Sequence, residues 1–236
     1  MIVANMASFP ARKDILLEAI ERLLPQVDRI NLCLNEYDEI PKELAKYSTL
    51  HPFIPEMDYK DIGKFVPKVE DDDYVLLVDD DIPYPSDYVE TLFSNYLKYR
   101  SENAVVGVHG IIYSDVYDGN VASRKVFMYA RSLEKDRVVN QLGTGTVLLK
   151  GHKMPSLDYM MGSQRYVDVR FSRYLYEKNI PLICISRSEN WLSEQKIKGS
   201  IFDTFTSNWP KNVVLEVQKI AGYSKLDFNT VLKVES

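Results

Sequence analysis

Three consecutive carboxylates, Asp79, Asp80 and Asp81, follow an apolar run at residues 74–78. Such a run, bounded by turn-forming residues, predicts a buried strand, and ligands of open α/β sheets bind just beyond the carboxyl ends of strands. At about 4 Å and an effective dielectric constant of about 20, two like charges repel by about 4 kcal/mol. Mg²⁺ and Mn²⁺ prefer oxygen ligands and would remove that repulsion. The triplet is therefore a candidate metal site; a solvated acidic turn is the alternative.

The spacing within the triplet selects two of its members as metal ligands. On extended backbone, residues two apart face the same way. We therefore expect Asp79 and Asp81 to point together at one cation and Asp80 to point elsewhere.

Asp168 is the candidate general base. It lies in the first turn of a predicted helix, between Arg165 and Arg170. The helix N-terminus alone would stabilise a carboxylate there, so a purely structural role is the alternative. A metal–diphosphate site needs a base, and nearby arginines could hold the charged form of the carboxylate or the substrate.

A second ligand-contacting segment is the sequence Gly143, Thr144 and Gly145. Two glycines that flank a threonine permit close approach of a ligand to the backbone, and we expect these residues to contact the acceptor or the sugar. A bulge or a sharp bend is the alternative. The spacing matches neither a dinucleotide-binding fingerprint nor a phosphate-binding P-loop.

The loop after the first predicted strand contains Ala7, Ser8, Phe9 and Arg12. The planar guanidinium of Arg12 suits a diphosphate. A cation at a helix start is mildly disfavoured by the helix dipole, which favours a functional role over a solvated side chain. We expect this loop to contact the nucleotide.

Two further loops are expected to contact the nucleotide. Asn35 and Glu36 end the second predicted strand, where Asn35 could bind a base edge; a simple turn former is the alternative. Residues 58–64 follow the third strand and carry Asp61 and Lys64 near the expected phosphates, and a plain exposed loop is the alternative.

Apolar periodicity fixes the expected fold class. It predicts strands at residues 2–6, 29–34, 49–54, 74–78, 104–113, 125–130, 146–150 and 181–185, and helices at 13–24, 85–99, 166–178 and 211–223. Strands and helices alternate in the first half, which predicts a mostly parallel sheet covered on both faces. The second half has strands without helices between them, so we expect an α/β fold with an open mixed sheet flanked by helices.

Composition limits the function classes. The chain has 236 residues, 45% of them hydrophobic, and a net charge of −5. We expect one domain over residues 1–236, with a nucleotide-binding half at 1–100 and an acceptor half at 101–236. The acidic balance argues against a nucleic-acid binder, and no apolar run approaches the length of a membrane span.

Other features point to a cytoplasmic protein. Met1 leads directly into a strand, so we expect no signal peptide. Cys33 and Cys184 lie within apolar runs and are expected to be buried, reduced thiols. The three histidines lack zinc-site spacing, and no Gly-x-Ser-x-Gly motif of an α/β-hydrolase occurs.

The chain resembles a bacterial glycosyltransferase with the GT-A fold, similar to the inverting family-two enzymes. The resemblance extends from the first strand to Trp191. The segments that carry it are residues 78–82 and 84–88, the first loop with Pro10 and Arg12, residues 142–145, and residues 167–171 followed by 178–181.

The resemblance implies a role for each site residue. Asp79 and Asp81 would be the Asp-x-Asp motif that holds Mn²⁺ or Mg²⁺ on the diphosphate of a sugar nucleotide, with Asp80 near the ribose or the sugar. Asp168 would be the catalytic base. The expected donor contacts are Ala7, Ser8, Phe9, Arg12, Asn35, Asp61 and Lys64. A polar segment at residues 189–208 would be a lid.

The expected reaction is metal-dependent transfer of a sugar from a nucleoside-diphosphate sugar, with UDP the expected carrier, to a hydroxyl of a saccharide or lipid-linked saccharide. The resemblance also implies inversion at the anomeric carbon and a role in bacterial surface polysaccharide synthesis. It further implies a cytoplasmic location, including the inner face of the membrane. Asn35 and Glu36 stand where many relatives have a uracil-binding aspartate, so the base is left open, and no histidine follows His152 to serve the metal.

Two alternatives remain from the residues alone. A sugar-nucleotide nucleotidyltransferase also places carboxylates and a metal beside a nucleotide. It would normally have a Gly-rich basic loop after the first strand, which residues 8–12 match poorly. A catalytically silent carbohydrate-binding protein is the second alternative, and the combination of Asp79, Asp81 and Asp168 argues against it.

Overall fold

A computed structural model describes residues 1–99, 103–193 and 209–221. The strands in these ranges are β1 (Ile2–Ser8), β2 (Arg29–Leu34), β3 (Leu50–Phe53), β4 (Tyr74–Asp79), β5 (Val105–Gly107), β6 (Gly110–Tyr113), β7 (Arg124–Phe127), β8 (Arg137–Val138), β9 (Gln141–Leu142), β10 (Thr146–Lys150) and β11 (Leu182–Cys184). The α-helices are α1 (Lys13–Leu23), α2 (Tyr88–Leu97), α3 (Leu157–Met160), α4 (Val167–Glu177) and α5 (Lys211–Ile220).

The main sheet has eight strands in the order β3-β2-β1-β4-β10-β5-β11-β8. Strands β1 to β4 are parallel, β10 runs antiparallel between β4 and β5, and β11 is parallel to β5. A smaller antiparallel sheet has the order β7-β6-β9. The predicted α/β class and open mixed sheet are confirmed.

Alternating residues of β4 explain why helices cover both faces of the main sheet. Leu76 and Val78 pack in one core with apolar residues of α1 and α2. Val75 and Leu77 pack in a second core with Phe171 of α4. Because both faces of the strand are buried, its sequence is apolar without interruption, as parallel strands require.

A third core attaches the smaller sheet to the helices. Ile111 and Tyr113 of β6 pack with Val169 of α4 and with Val217 and Ile220 of α5. This packing places β6, β7 and α5 beside the start of α4, which carries Asp168.

One strand prediction is wrong in form. Residues 104–113 were expected to form one continuous strand, but they form two strands, β5 and β6, in two different sheets. The break occurs at Val108 and His109. The Val108 N–H donates to the Thr146 carbonyl, and the His109 N–H donates to the Thr146 side-chain hydroxyl, so the regular backbone pairing with β10 ends there. The smaller sheet therefore turns away from the main one at this point.

The other predicted elements differ mainly at their ends. The helix expected at 85–99 begins at Tyr88, and the helix expected at 211–223 is present as α5, its predicted end lying outside the described residues. Most of the expected lid, residues 194–208, also lies outside them.

Cys33 and Cys184 are buried and form no disulfide, as expected. In the described part of the chain, no helix has the length and apolarity needed to cross a bilayer.

Candidate functional site

A cavity of about 600 Å³ lies at the carboxyl edge of the parallel strands. Its walls come from the loops after β1 to β4 on one side, and from the start of α4, the smaller sheet and the residues before α5 on the other. The predicted site residues that line it are Ala7, Ser8, Phe9, Arg12, Asn35, Asp61, Lys64, Asp79, Asp80, Asp81, Thr144 and Asp168. The fold thus brings the sequence-predicted donor side and the predicted base to one space.

The acidic triplet begins where β4 ends. Arg12 donates to Asp80 Oδ1 at 2.9 Å and also pairs with Asp81. Asp80 and Asp81 share one guanidinium because the strand stops at Asp79 and the chain turns, so the simple alternation expected of extended backbone ends there. Arg12, predicted to bind a diphosphate, here pairs with two of the three carboxylates.

Asp80 is the buried member of the triplet. Its side chain is nearly inaccessible, with the residue 5% exposed, and its Oδ2 has no hydrogen-bond partner among the described residues. Burial raises the pKa of this carboxyl to about 6, and the Arg12 charge opposes the rise.

Lys64 connects the two sides of the cavity. Its ammonium pairs with the Asp79 carboxylate and donates to the Thr144 carbonyl oxygen at 3.3 Å. Burial by itself would lower the pKa of Lys64, whose residue is only 3% exposed, but the charge and hydrogen bond of Asp79 together with the charges of Asp168 and Asp61 outweigh burial, and the pKa is raised. Lys64 therefore remains a buried cation at the triplet.

Gly145 is required by the position of Asp79. A Cβ at Gly145 would lie 1.9 Å from Asp79 Oδ2, well inside contact distance. At Gly143 the nearest atom to such a Cβ is the His109 Cβ, at 3.2 Å. The group that approaches the backbone closely at Gly145 is therefore the Asp79 carboxylate. Of the three predicted residues Thr144 lines the cavity, and contact of this segment with the acceptor or the sugar stays a prediction.

Asp168 lies in the first turn of α4, as predicted. Its Oδ1 accepts hydrogen bonds from Thr144 N at 2.8 Å and from Thr144 Oγ1 at 2.7 Å. Burial raises the pKa of Asp168, and these two bonds partly counter the rise because they favour the charged form.

The arginines beside Asp168 have other hydrogen-bond partners. Arg170 donates to the Tyr159 carbonyl and to Glu216, each at 3.1 Å. The Arg165 backbone N–H donates to Asp61 Oδ2 at 2.8 Å. Among the described residues, the hydrogen bonds to the Asp168 carboxylate come from Thr144, while Arg165 lines the cavity, and a role of the arginines in holding the substrate stays a prediction.

Asp61 and Asn35 hold loops at the rim of the cavity. Asp61 fixes Arg165, whose φ of 74° is left-handed, and burial raises the pKa of Asp61 to about 6. Asn35 accepts from Tyr59 N and donates to the Lys60 carbonyl, both at 3.0 Å. Both side chains line the cavity, and their contact with a nucleotide stays a prediction.

Sequence analysis missed the cavity residues His109, Arg124, Gln141 and Trp209. Arg124 and Gln141 belong to the smaller sheet, His109 immediately precedes β6, and Trp209 lies two positions before α5. None belongs to a recognisable motif, and only the topology of the short strands brings them to Asp168.

The donor set is chemically suited to a hard divalent cation. Burial first, and then the nearby Asp79 charge, raises the pKa of Asp81, as expected when two carboxylates face a common space. Across residues 1–99, 103–193 and 209–221, no group of three acidic, histidine or cysteine side chains is arranged around a metal position. Asp79 and Asp81 are paired with Lys64 and Arg12, so a cation would have to displace these partners and take its remaining ligands from substrate oxygens and water, and the assignment of the two carboxylates as metal ligands stays a prediction.

Comparison with known proteins gives a likeness in fold to solved structures. No protein-family model matches the chain, and no curated protein matches it significantly. Among solved structures, the chain is similar to a crystal structure of 4-diphosphocytidyl-2C-methyl-D-erythritol synthase, with a TM-score of 0.47 and 10% identity over 83% of this chain and 94% of that chain. At this degree of likeness the comparison assigns neither a family nor an activity.

Proposed function

We propose that this protein is a glycosyltransferase that moves a sugar from a nucleoside-diphosphate sugar to an acceptor hydroxyl. One observation carries the proposal. Asp168, a carboxylate with a raised pKa, and the triplet Asp79 to Asp81 line the same cavity of about 600 Å³. That volume suits a small-molecule substrate.

The donor diphosphate is assigned to the triplet side of this cavity. Arg12 and Lys64 supply cations there, and an arginine fork and a buried ammonium both bind phosphate oxygens well. Asp79 and Asp81 would hold Mn²⁺ or Mg²⁺, and a bound cation supplies charge neutralisation for a leaving diphosphate. UDP remains the expected carrier.

Asp168 is assigned the role of general base. The acceptor oxygen forms a bond to the anomeric carbon while the bond from that carbon to the β-phosphate oxygen breaks. The acceptor proton passes to Asp168, whose Oδ1 is held by Thr144 and whose Oδ2 is the proposed proton acceptor. The nucleoside diphosphate leaves with the bonding electron pair, and attack from the opposite face inverts the anomeric centre.

The first loop favours this reaction over nucleotidyl transfer. A nucleotidyltransferase must hold a triphosphate and a leaving pyrophosphate, which calls for a basic loop after β1. Residues 8–12 contain one cation, Arg12, and no glycine. We place the reaction in bacterial surface polysaccharide synthesis, in the cytoplasm or at the inner face of the membrane.

Product analysis tests the proposal. The protein is incubated with Mn²⁺ and a panel of UDP- and GDP-sugars, and separately with nucleoside triphosphates and sugar phosphates. We expect release of nucleoside diphosphate from at least one donor and its loss on chelation of the metal. Pyrophosphate release would identify a nucleotidyltransferase, and saccharide binding without any product would identify a silent binding protein; either result overturns the proposal.

A further inference from the structure

The smaller sheet brings one arginine into the cavity on the Asp168 side. Arg124 begins β7, in register with Tyr113 of β6, and lines the cavity together with Gln141 and Asp168. Its guanidinium carbon lies 5.3 Å from the centroid of the Trp209 ring. A cation and an aromatic wall therefore stand next to the proposed base.

The charge of Arg124 is not neutralised within the described chain. No carboxylate of residues 1–99, 103–193 or 209–221 forms an ion pair with it, and its Nε is buried without a hydrogen-bond partner in that part of the structure. Arg12, Arg170 and Arg173 have carboxylate partners. The Nε atoms of Arg29 and Arg170 are also buried without a partner among the described residues, so it is the partly buried position of Arg124 on the cavity wall, without an ion pair, that singles it out. A buried donor without a partner is unfavourable, and an anion at this position would satisfy it.

The Tyr113 hydroxyl is a hydrogen-bond partner of the Arg124 side chain but carries no negative charge at pH 7, because burial raises its pKa. His109 lines the same wall, and burial together with the charges of Arg187 and Arg124 lowers the pKa of His109 to about 4, so the ring is neutral at pH 7. The Tyr113 hydroxyl donates to Gln141 Oε1 at 2.6 Å, which fixes the amide. Apart from Asp168, the wall holds polar and aromatic groups suited to a saccharide.

We propose that the acceptor is an acidic saccharide, whose carboxylate or phosphate group pairs with Arg124 while a sugar ring packs on Trp209 and a hydroxyl reaches Asp168. This inference rests on the proposed glycosyl transfer and names the class of its acceptor. A guanidinium binds carboxylate and phosphate with two parallel hydrogen bonds. The donor diphosphate does not require Arg124, because Arg12 and Lys64 supply the cations at the triplet.

The test compares charged acceptors with neutral counterparts in the presence of an active donor. The acceptors are a uronate-terminated oligosaccharide, the same oligosaccharide with its carboxyl group reduced, a glycosyl phosphate, and the unphosphorylated sugar. We expect the KM for at least one anionic acceptor to be tenfold or more below that of its neutral counterpart. The pair that shows the difference identifies the anion as carboxylate or phosphate.

Substitutions at Arg124 test whether this residue causes the preference for anionic acceptors. Arg124→Gln should raise the KM for the anionic acceptor tenfold or more and abolish the preference, and Arg124→Lys should restore part of it. Lys125→Gln is the matched control, because it removes the same charge from the exposed neighbouring residue of β7, and it should leave the acceptor KM unchanged. The stabilisation of each variant by UDP and Mn²⁺ in a thermal-shift assay shows whether its donor site is retained.

The outcomes separate this inference from the function on which it rests. Donor hydrolysis by the unmodified protein with equal use of acidic and neutral acceptors overturns the acidic acceptor and leaves glycosyl transfer standing. A preference that survives in Arg124→Gln, or is lost equally in Lys125→Gln, overturns the role of Arg124. Absence of nucleoside diphosphate release from every donor overturns both. If Arg124→Gln does not fold, Arg124→Lys and the acceptor comparison with the unmodified protein decide the question.

Discussion

Thr144 donates two hydrogen bonds to one carboxylate oxygen of Asp168, from its backbone N at 2.8 Å and from its Oγ1 at 2.7 Å. The carbonyl of the same Thr144 accepts from Lys64, which pairs with Asp79. One threonine therefore fixes both the proposed base and the cation beside the proposed metal ligand. These contacts connect Asp168 to Asp79 through Thr144 and Lys64.

Thr144→Val should move the acidic limb of the activity profile to higher pH. The variant keeps the backbone N–H but loses the hydroxyl donor, and loss of a hydrogen bond to the charged form raises the pKa of Asp168 further. A hydrogen bond to a charged group contributes about 1.5 kcal/mol or more, so we expect a shift of about one pH unit. The measurement is kcat/KM for nucleoside diphosphate release between pH 5 and about 9. Thr144→Ser should restore the original limb, and an unmoved limb in Thr144→Val would contradict the role of the hydroxyl.

Asp168→Asn should reduce turnover while donor binding is retained. Loss of a general base typically costs about 10²- to 10⁴-fold in rate, and the hydrogen bonds that hold Asp168 come from Thr144, which is not assigned to the donor. The measurement pairs kcat with the affinity for UDP and Mn²⁺ by calorimetry. Equal losses in turnover and in donor affinity would count against the base assignment.

Gly145→Ala should weaken metal-dependent donor binding. The new Cβ would meet Asp79 Oδ2 at 1.9 Å, so the carboxylate must leave its position. Gly143→Ala is the matched control, because its Cβ would come no closer than 3.2 Å to a described neighbour. Calorimetry of UDP with Mn²⁺ should show at least a tenfold loss of affinity for Gly145→Ala and a small change for Gly143→Ala. Similar affinities for the two variants would argue against Asp79 as a ligand.

Asp61→Asn should stabilise the fold above pH 6. Burial raises the pKa of Asp61 from 3.8 to about 6 in the native state, so the native protein binds more protons than the unfolded chain between these values. The free energy of unfolding therefore falls as the pH rises through this window. Asp61→Asn removes this pH dependence. Because solvent partly screens the site, we expect the free energy of unfolding of the variant to exceed that of the unmodified protein by about 1 to 2 kcal/mol at pH 7.5 and to equal it below pH 4.

Urea unfolding at a series of pH values, in the presence of a chelator, checks the Asp61 prediction. The amide oxygen of asparagine can still accept the Arg165 backbone N–H, so the loop contact is kept in part. A pH dependence identical to that of the unmodified protein would show that Asp61 does not carry the raised pKa.

The long buried strands of the main sheet could be predicted from the sequence. Residues 29–34 and 146–150 were placed at their observed limits, because a strand buried on both faces is apolar throughout and ends at polar or turn-forming residues. The same rule placed Ser8 and Asp79 just beyond the strands predicted at 2–6 and 74–78, and they are the last residues of β1 and β4.

The smaller sheet could not be predicted in the same way. β8 and β9 have two residues each, too few for a periodic pattern, and their pairing depends on contacts distant in sequence. Arg124 and Trp209 reach the cavity only through this topology. The pairing of Arg12 with Asp80 and Asp81 was missed for a related reason, since it depends on the turn that follows β4.

A crystal structure of the protein with Mn²⁺ and UDP tests the central claim most directly. The anomalous signal of manganese locates the cation independently of the nucleotide. We expect one cation between the carboxylates of Asp79 and Asp81, in contact with the diphosphate, in the cavity that also holds Asp168. A nucleotide bound elsewhere, or a diphosphate in this cavity with no cation at these two carboxylates, would contradict the account.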